Sequence, residues 1–201
     1  MIAFITSSPF REDVDRPTFS NENGFDDGIR SVLPRDMRCL FVCADPNAHD
    51  FTCRIGADIF MAFAHAGIHF SSYHVLDGTN ASRAGELVKN SDLIVLAGGH
   101  VPTQNAFFQK IGLRQLLKDH AGVAMGISAG SMNSADVVYA QPEEKGESVP
   151  EFQRFLPGLG ITTVNVLPHY QKVKDNILDG QRLYEDITFA DSRGHRFLVL
   201  P

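Results

Sequence analysis

Short apolar segments alternate along this chain with longer amphipathic ones. Five segments predict strands of a buried sheet, at residues 2–6, 38–44, 68–76, 92–97 and 123–127. Between them, apolar residues recur at helical spacing, as Phe51, Ile55, Ile59 and Phe63 do. Strands that alternate with helices in this way indicate βαβ units around a mostly parallel sheet.

The same pattern predicts the remaining elements. Helices are expected at residues 25–33, 49–66, 81–89, 105–119, 131–138 and 175–186, and two further strands at 161–167 and 196–201. We therefore expect a single α/β domain over residues 1–201, arranged as a three-layer sandwich with helices on both faces of the sheet. The chain stops directly after the last predicted strand, and because sheet edges are usually covered, a truncation after Pro201 stays open.

A glycine-rich turn follows the fifth strand and has the pattern of a nucleophile elbow. Gly126 and Gly130 flank Ser128 in the sequence Gly-Ile-Ser-Ala-Gly. Such a turn is crowded, so the positions two before and two after the serine cannot carry bulky side chains. The helix after it would direct N–H groups to the space where an oxyanion forms. The same five residues also fit a tightly packed turn without chemistry.

Other strand ends carry the groups that a nucleophilic serine needs. In a parallel sheet, ligands bind at the carboxyl ends of the strands. Gly98-Gly99 follows the fourth strand, and His169 follows a later one after Pro168. We expect His169 to act as the base for Ser128, and the N–H groups of Gly99 and Ala129 to form the oxyanion hole. The candidate acids between serine and histidine are Glu143, Glu144 and Glu147.

Composition and charge limit the classes of molecule that this protein is expected to bind. Hydrophobic residues make up 43% and charged residues 21%, which is typical of a globular domain. A net charge of −6 disfavours nucleic acid, and no apolar run is long enough to span a membrane. The start Met1-Ile-Ala-Phe-Ile-Thr has no signal-peptide pattern, so a cytoplasmic location is expected.

The cysteines support a reducing compartment and no metal site. Cys39, Cys43 and Cys53 are odd in number, and paired spacings such as Cys-x-x-Cys are absent. Cys43 is near His49 in sequence, but no turn pattern there supports a catalytic pair. We therefore expect neither a metal nor an organic cofactor.

Three motifs together resemble a known family. They are Ile94-Val-Leu-Ala-Gly-Gly99, Gly126-Ile-Ser-Ala-Gly130 and Asn165-Val-Leu-Pro-His-Tyr170. The chain is similar to peptidase family S51, which comprises aspartyl dipeptidase (peptidase E), cyanophycinase and their relatives. The resemblance implies a flavodoxin-like fold of the class I glutamine amidotransferase type, with serine in place of cysteine. It also implies that Ser128 is the nucleophile, His169 the base and an acid downstream of the serine the third member.

The resemblance is weakest around the acid and the substrate loop. An ungapped comparison from the serine puts Glu143 where the dipeptidases have aspartate, with Glu144 and Glu147 as close rivals. The family's Gly-Gly-Asn-Thr is here Gly99-His100-Val-Pro-Thr103, followed by Gln104. We expect His100 and Gln104 to contact substrate. An aspartyl substrate would also need a cation, and the candidates are Arg11, His100, Lys172 and Lys174.

The leading hypothesis is a serine-type peptidase that hydrolyses small peptides, such as aspartyl dipeptides, through a Ser-His-Glu triad and an acyl-enzyme. A second hypothesis is an amidotransferase-like hydrolase that acts on another amide or ester. A third is a non-catalytic binding module that keeps the turn as architecture. The expected partner is a small peptide, and a homodimer stays open.

Overall fold

A five-stranded parallel sheet forms the centre of the protein, as seen in a computed structural model that describes residues 1–11, 13–21, 23–192, 194 and 197–199. Its strand order is β1-β5-β4-β2-β3, and all neighbouring strands are parallel. The strands are β1 (Ile2–Thr6), β2 (Met37–Val42), β3 (Phe70–Leu76), β4 (Leu93–Leu96) and β5 (Val123–Ile127). The predicted α/β fold with a mostly parallel sheet is confirmed, and all five predicted strands are present.

Successive residues of the central strands point to opposite faces of the sheet, and helices cover both faces. The helices in the first two thirds of the chain are α1 (Phe25–Val32), α2 (His49–His65), α3 (Ala84–Lys89), α4 (Val101–Lys110) and α5 (Leu113–Leu117). In β2, Cys39 and Phe41 pack with residues of α1 and α2. Leu40 and Val42 pack with residues of α3, α4 and α5 on the other face. Two covered faces explain why these strands are continuously apolar.

The last third of the chain adds smaller elements at one side of the sheet. They are α6 (Ala129–Asn133), β6 (Val137–Tyr139), β7 (Phe155–Pro157), β8 (Asn165–Leu167), α7 (Tyr170–Val173), β9 (Ile177–Leu178), β10 (Gln181–Arg182), α8 (Leu183–Ser192) and β11 (Phe197–Val199). A buried polar group joins α8 to the β6–β7 hairpin, because Asp186 accepts hydrogen bonds from the Tyr139 hydroxyl and from Arg154.

Two predicted helices have different bounds in the structure. The segment predicted at 105–119 forms α4 and α5, separated at Gly112, whose φ of +64° ends one helix and starts the next. Helix α4 also begins earlier, at Val101, because proline is well tolerated in the first turn of a helix. The helix predicted at 131–138 is wrong beyond Asn133. Val137–Tyr139 is a strand instead, consistent with its β-branched and aromatic residues.

The predicted helix at 175–186 is also wrong over most of its length. Residues 177–182 form the β9–β10 hairpin, whose turn residues Asp179 and Gly180 both have positive φ, as an Asp-Gly hairpin turn requires. Helix α8 starts only at Leu183. The strand predicted at 161–167 is confined to Asn165–Leu167. Of the strand predicted at 196–201, Phe197–Val199 pairs with β8, and positions 196, 200 and 201 lie outside the described residues.

Within the described ranges, none of the helices is both long enough and apolar enough to cross a lipid bilayer.

The close packing of α6 against β4 makes Gly130 sensitive to substitution. A Cβ atom at Gly130 would lie 2.3 Å from the carbonyl oxygen of Leu96 and 2.7 Å from its Cβ. We expect Gly130→Ala to cost about 1–3 kcal/mol and lower the melting temperature by several degrees in a thermal denaturation experiment. Gly85→Ala is the control. Gly85 lies in α3, and a Cβ atom there would have only an ordinary van der Waals contact at 3.6 Å. Equal melting temperatures for the two variants would contradict the packing argument.

Candidate active site

The carboxyl ends of three neighbouring strands bring the candidate residues to one edge of the sheet. In the parallel ladders, Thr6 of β1 lies opposite Ile127 of β5, and Gly126 of β5 lies opposite Leu96 of β4. The residues that follow β1 and β5, Ser7 and Ser128, therefore emerge side by side. Open α/β sheets bind their ligands at this edge.

Ser128 has a strained backbone, with φ of 47° and ψ of −108°. Positive φ is uncommon for a residue with a side chain and requires support from its surroundings. That support comes from β1, because the Ser128 N–H donates to the Thr6 carbonyl at 3.0 Å. The Ser131 hydroxyl donates to the same carbonyl at 2.7 Å and accepts from the Thr6 N–H at 2.9 Å. The strand-to-helix turn thus has the backbone geometry of a nucleophile elbow.

The glycines on either side of Ser128 are needed for close approach. A Cβ at Gly126 would lie 2.7 Å from the backbone nitrogen of Ser131, so only glycine fits under the first turn of α6. A Cβ at Gly130 would likewise be too close to the backbone of β4. The backbone around Ser128 is therefore closely packed, while the serine itself stays partly exposed to solvent.

Gly98 and Gly99 lie directly beside the serine. A Cβ at Gly98 would be 3.5 Å from the Ser128 Cβ, and one at Gly99, where φ is +156°, would be 2.5 Å from the Ala44 Cβ. On the other side, Ala129 is the first residue of α6, and the first N–H groups of a helix have no partner within it. Of the two predicted oxyanion donors, Ala129 directly follows Ser128, and Gly99 directly follows Gly98, the glycine that packs against the serine.

Ser7 links His169 to this edge. His169 follows the buried Pro168 and has a positive φ of 54°. Its backbone N–H donates to the Ser7 hydroxyl oxygen at 3.1 Å, and its ring atom Nδ1 lies 3.2 Å from the same oxygen. Ser7 is itself buried, with 9% exposure. Because Ser7 and Ser128 follow adjacent strands, this contact holds the imidazole at the edge where the candidate nucleophile lies.

The segment carrying the three glutamates contacts the Gly99 loop through Glu147. One carboxylate oxygen of Glu147 lies 2.8 Å from His100 Nε2, and the other accepts from the N–H groups of Glu143 and Glu144 at 2.8 and 2.9 Å. Burial acts to raise the pKa of Glu147, but these two N–H groups and the imidazole outweigh it and lower the pKa. The His100 ring is also fixed by Thr103, whose hydroxyl lies 2.7 Å from Nδ1.

Glu143 has a different environment from Glu147. Its carboxylate accepts a hydrogen bond from the Gln141 amide at 3.2 Å. Although the residue as a whole is exposed, burial around the carboxyl group raises its pKa, and the negative charge of Glu147 adds to the effect. In the described part of the chain, the hydrogen bonds of the three glutamates remain within their own segment and with His100, and none of them reaches the His169 ring.

Gln104 supports the loop from inside. It is fully buried, and its amide nitrogen donates to the carbonyl of Ala97 at 2.7 Å while its oxygen accepts from Asn133 at 3.0 Å. These bonds join α4 to the end of β4 and to α6. The side chain predicted to contact substrate therefore holds the Gly98–Gly99 loop in place.

Two further features of the structure are a group of potential metal-binding side chains near this edge and a groove at the opposite edge. Among the described residues, His100, Glu144 and Glu147 have potential metal-binding atoms within 4.8 Å of one another. Two of these side chains, His100 and Glu147, are joined by a direct hydrogen bond. A groove of about 780 Å³ lies at the amino ends of the strands, lined by residues such as Ile2, Asp92 and Val123. It is on the opposite edge from Ser128 and contains none of the predicted site residues.

Ser7 and Ser131 were not singled out from the sequence. Ser7 does follow the first strand directly, and a polar residue at the carboxyl end of a strand is a usable signal. Its value depends on β1 being the neighbour of β5, which the sequence pattern does not specify.

A central parallel sheet covered by helices, with a strained serine turn at the carboxyl end of β5, defines the class of this protein as a parallel α/β protein. Comparison with family profiles gives the particular group. The profile of peptidase family S51 matches residues 26–190, and the chain belongs to this family. Family and fold together support a peptidase, and so a hydrolase.

Solved structures agree with this fold. A protein from Listeria monocytogenes EGD-e, provisionally assigned as a peptidase E, superimposes with a TM-score of 0.63 at 14% identity, covering 98% of this chain and 89% of that one. A peptidase from an acI-B1 actinobacterium superimposes with a TM-score of 0.54 at 21% identity, covering 90% of this chain and 72% of that one. At these identities the likeness concerns the fold. A search of the curated proteins found no match.

The lowered pKa of Glu147 predicts a pH-dependent contribution to stability. A carboxylate whose pKa is lower in the folded state stabilises the protein above its unfolded pKa, here 4.5, and this stabilisation is lost as the pH falls through the folded pKa. We expect Glu147→Gln to cost about 1.5–3 kcal/mol at neutral pH and progressively less below pH 4.5 in urea denaturation.

The control for this experiment is Glu144→Gln, because the Glu144 side chain is exposed and has no hydrogen bond within the described ranges. The Glu144→Gln variant should have the same free energy of unfolding as the wild type at neutral pH and below pH 4.5. A cost for Glu147→Gln that stays constant down to acidic pH would contradict the proposed role of the ionised carboxylate.

Proposed function

We propose that this protein is a serine-type peptidase that hydrolyses small peptides through Ser128, His169 and a glutamate. The observation that carries the proposal is the positive-φ backbone of Ser128, held beside Gly98 by bonds from β1. Holding a serine in this conformation costs about 1–3 kcal/mol, and such strain is concentrated at functional sites. A turn that served packing alone would be satisfied by glycine at this position.

The arrangement supports acyl transfer in two steps. The Ser128 hydroxyl attacks the scissile carbonyl while His169 accepts its proton, and the N–H groups of Gly99 and Ala129 stabilise the oxyanion. His169 then protonates the leaving amine, and the acyl-enzyme forms. Water attacks the acyl-enzyme with His169 again as base, which releases the acid product and restores the serine.

The orientation of His169 is assigned to two groups. Ser7 is one, because its hydroxyl contacts both the backbone N–H and Nδ1 of His169. For the acid we keep Glu143, which lies in the segment that Glu147 anchors to His100, next to Gly99. The carboxyl of Glu143 is poorly solvated, and a carboxyl with a pKa perturbed by burial at a strand-end site is a candidate functional group.

Substrate preference follows from the cations near His169. The four candidates differ in position, since Arg11 pairs with Asp13 at 2.7 Å and His100 with Glu147, whereas the two lysines follow His169 in the chain. Lys172 lies on α7, which begins directly after His169, and Lys174 is the residue that caps the C-terminus of this helix. We propose that these lysines favour peptides with an acidic side chain, such as aspartyl dipeptides.

Replacing the candidate nucleophile gives the central test. We expect Ser128→Ala to lower kcat/KM for aspartyl dipeptides by at least about 10³-fold, because the acyl-enzyme can no longer form. It should also abolish labelling by a fluorophosphonate probe, with little change in melting temperature. Ser31→Ala is the matched control, since Ser31 is an exposed serine on α1.

The results of these experiments distinguish the three hypotheses about function. Full activity or full labelling in Ser128→Ala would overturn the assignment of the nucleophile. Release of ammonia from glutamine, with no peptide cleavage, would favour an amidotransferase-like hydrolase. A wild-type protein that neither labels nor cleaves peptides, amides or esters would favour a non-catalytic binding module.

The acid is tested by comparing two single variants. If Glu143 orients His169, Glu143→Gln should lower kcat by about 10²–10⁴-fold at unchanged stability, since the correct ring tautomer is no longer favoured. Glu144→Gln should stay within a few-fold of the wild type. A larger loss in Glu144→Gln than in Glu143→Gln, both measured by steady-state kinetics on a folded protein, would move the acid to Glu144.

A further inference from the structure

A second group of chemically capable side chains lies at the same edge of the sheet as Ser128. Cys53 and His49 are in the first turns of α2, and Asp77 directly follows β3. Strand β3 is three positions from β5 in the sheet, so this group is roughly 14 Å from the serine turn. It is therefore separate from the candidate active site.

Asp77 is a buried carboxylate with a fixed orientation. Its exposure is 1%. One oxygen accepts from the N–H and the hydroxyl of Thr79 at 2.8 and 2.6 Å, and the other lies 2.6 Å from His49 Nδ1. The loop around it is tied to the start of α2, because Gly78 N–H donates to the Pro46 carbonyl at 3.0 Å. The carboxylate is thus aimed at one ring nitrogen of His49.

The other side of the imidazole contacts the thiol. Cys53 Sγ lies 3.7 Å from His49 Nε2 and 4.0 Å from Nδ1, one helical turn away on α2. The hydrogen bond and charge of Asp77 raise the pKa of His49, with burial opposing and Asp50 adding to the effect. A thiol this close to an imidazole can transfer its proton to the ring as it reacts.

The other two cysteines have the opposite environment. Cys39 and Cys43 are both buried in the core. Burial raises the pKa of the Cys39 thiol well above its usual range and that of Cys43 to about 12. Cys53 is exposed to solvent. The chain therefore contains one accessible thiol, and that thiol is the one with an imidazole and a carboxylate behind it.

We propose that Cys53, His49 and Asp77 form a reactive thiol site that exchanges with small disulfides. The Cys53 thiolate attacks one sulfur of a low-molecular-weight disulfide. A new S–S bond forms to Sγ, the original S–S bond breaks, and the second sulfur leaves as a thiolate with the bonding electrons. Cys53 is oxidised and the leaving half of the disulfide is reduced. The proton of the thiol is carried by His49 or passes to water.

The test is the rate of modification by glutathione disulfide and by dithiobis(nitrobenzoate). The wild type should take up one glutathionyl group by mass spectrometry, and Cys53→Ser should take up none. We expect His49→Gln to react about three- to tenfold more slowly at neutral pH, because the neighbouring positive charge is lost. Asp77→Asn should also lower the reaction rate. Circular dichroism of each variant is recorded to check that it is folded.

His69→Gln is the matched control, since His69 is an exposed histidine before β3, at the opposite end of that strand from Asp77. It should react at the wild-type rate. Modification of Cys39 or Cys43 in the folded protein, or an unchanged rate in His49→Gln, would overturn the proposal. A Cys53 rate no higher than that of the urea-unfolded chain would do the same.

Discussion

The close approach of α6 to β1 and β4 is the constraint on which the candidate site depends. Gly126 and Gly130 leave no room for side chains, and the Ser131 hydroxyl exchanges two hydrogen bonds with the backbone of Thr6. These contacts over-determine the turn, so the unfavourable backbone of Ser128 is maintained by its neighbours. The strain is distributed over three elements and cannot be relieved by a local rotation.

The same constraint positions the other groups. Once β1 lies beside β5, Ser7 emerges next to Ser128, and its hydroxyl fixes the backbone and ring of His169. On the other side, β4 brings Gly98 against the serine, and Gln104 holds that loop from within the core. The position of His169 relative to the serine therefore depends on strand order, and the position of the Gly98–Gly99 loop depends on a buried amide.

These dependencies explain how far the sequence could predict the molecule. Continuous apolar strands, amphipathic helices and the Gly-Ile-Ser-Ala-Gly turn are local patterns, and the structure contains the corresponding elements. The role of Ser7 depends on which strands are neighbours, and local patterns do not encode this. The β9–β10 hairpin lies in the segment predicted to be helical, although its Asp179-Gly180 pair is a turn signal.

In the sequence, Glu143 is favoured over Glu144 and Glu147 only by an ungapped comparison, whereas hydrogen bonds distinguish the three glutamates in the structure. Glu147 uses both carboxylate oxygens, one on His100 and one on two backbone N–H groups. It therefore acts as a bridge between its own segment and the residue that follows Gly99. A change at Glu147 would release the loop that contains Gly99 and alter stability together, whereas a change of the Glu143 side chain leaves the bridge intact. Only a loss of activity without a loss of stability distinguishes an acid that orients the base from one that holds the loop.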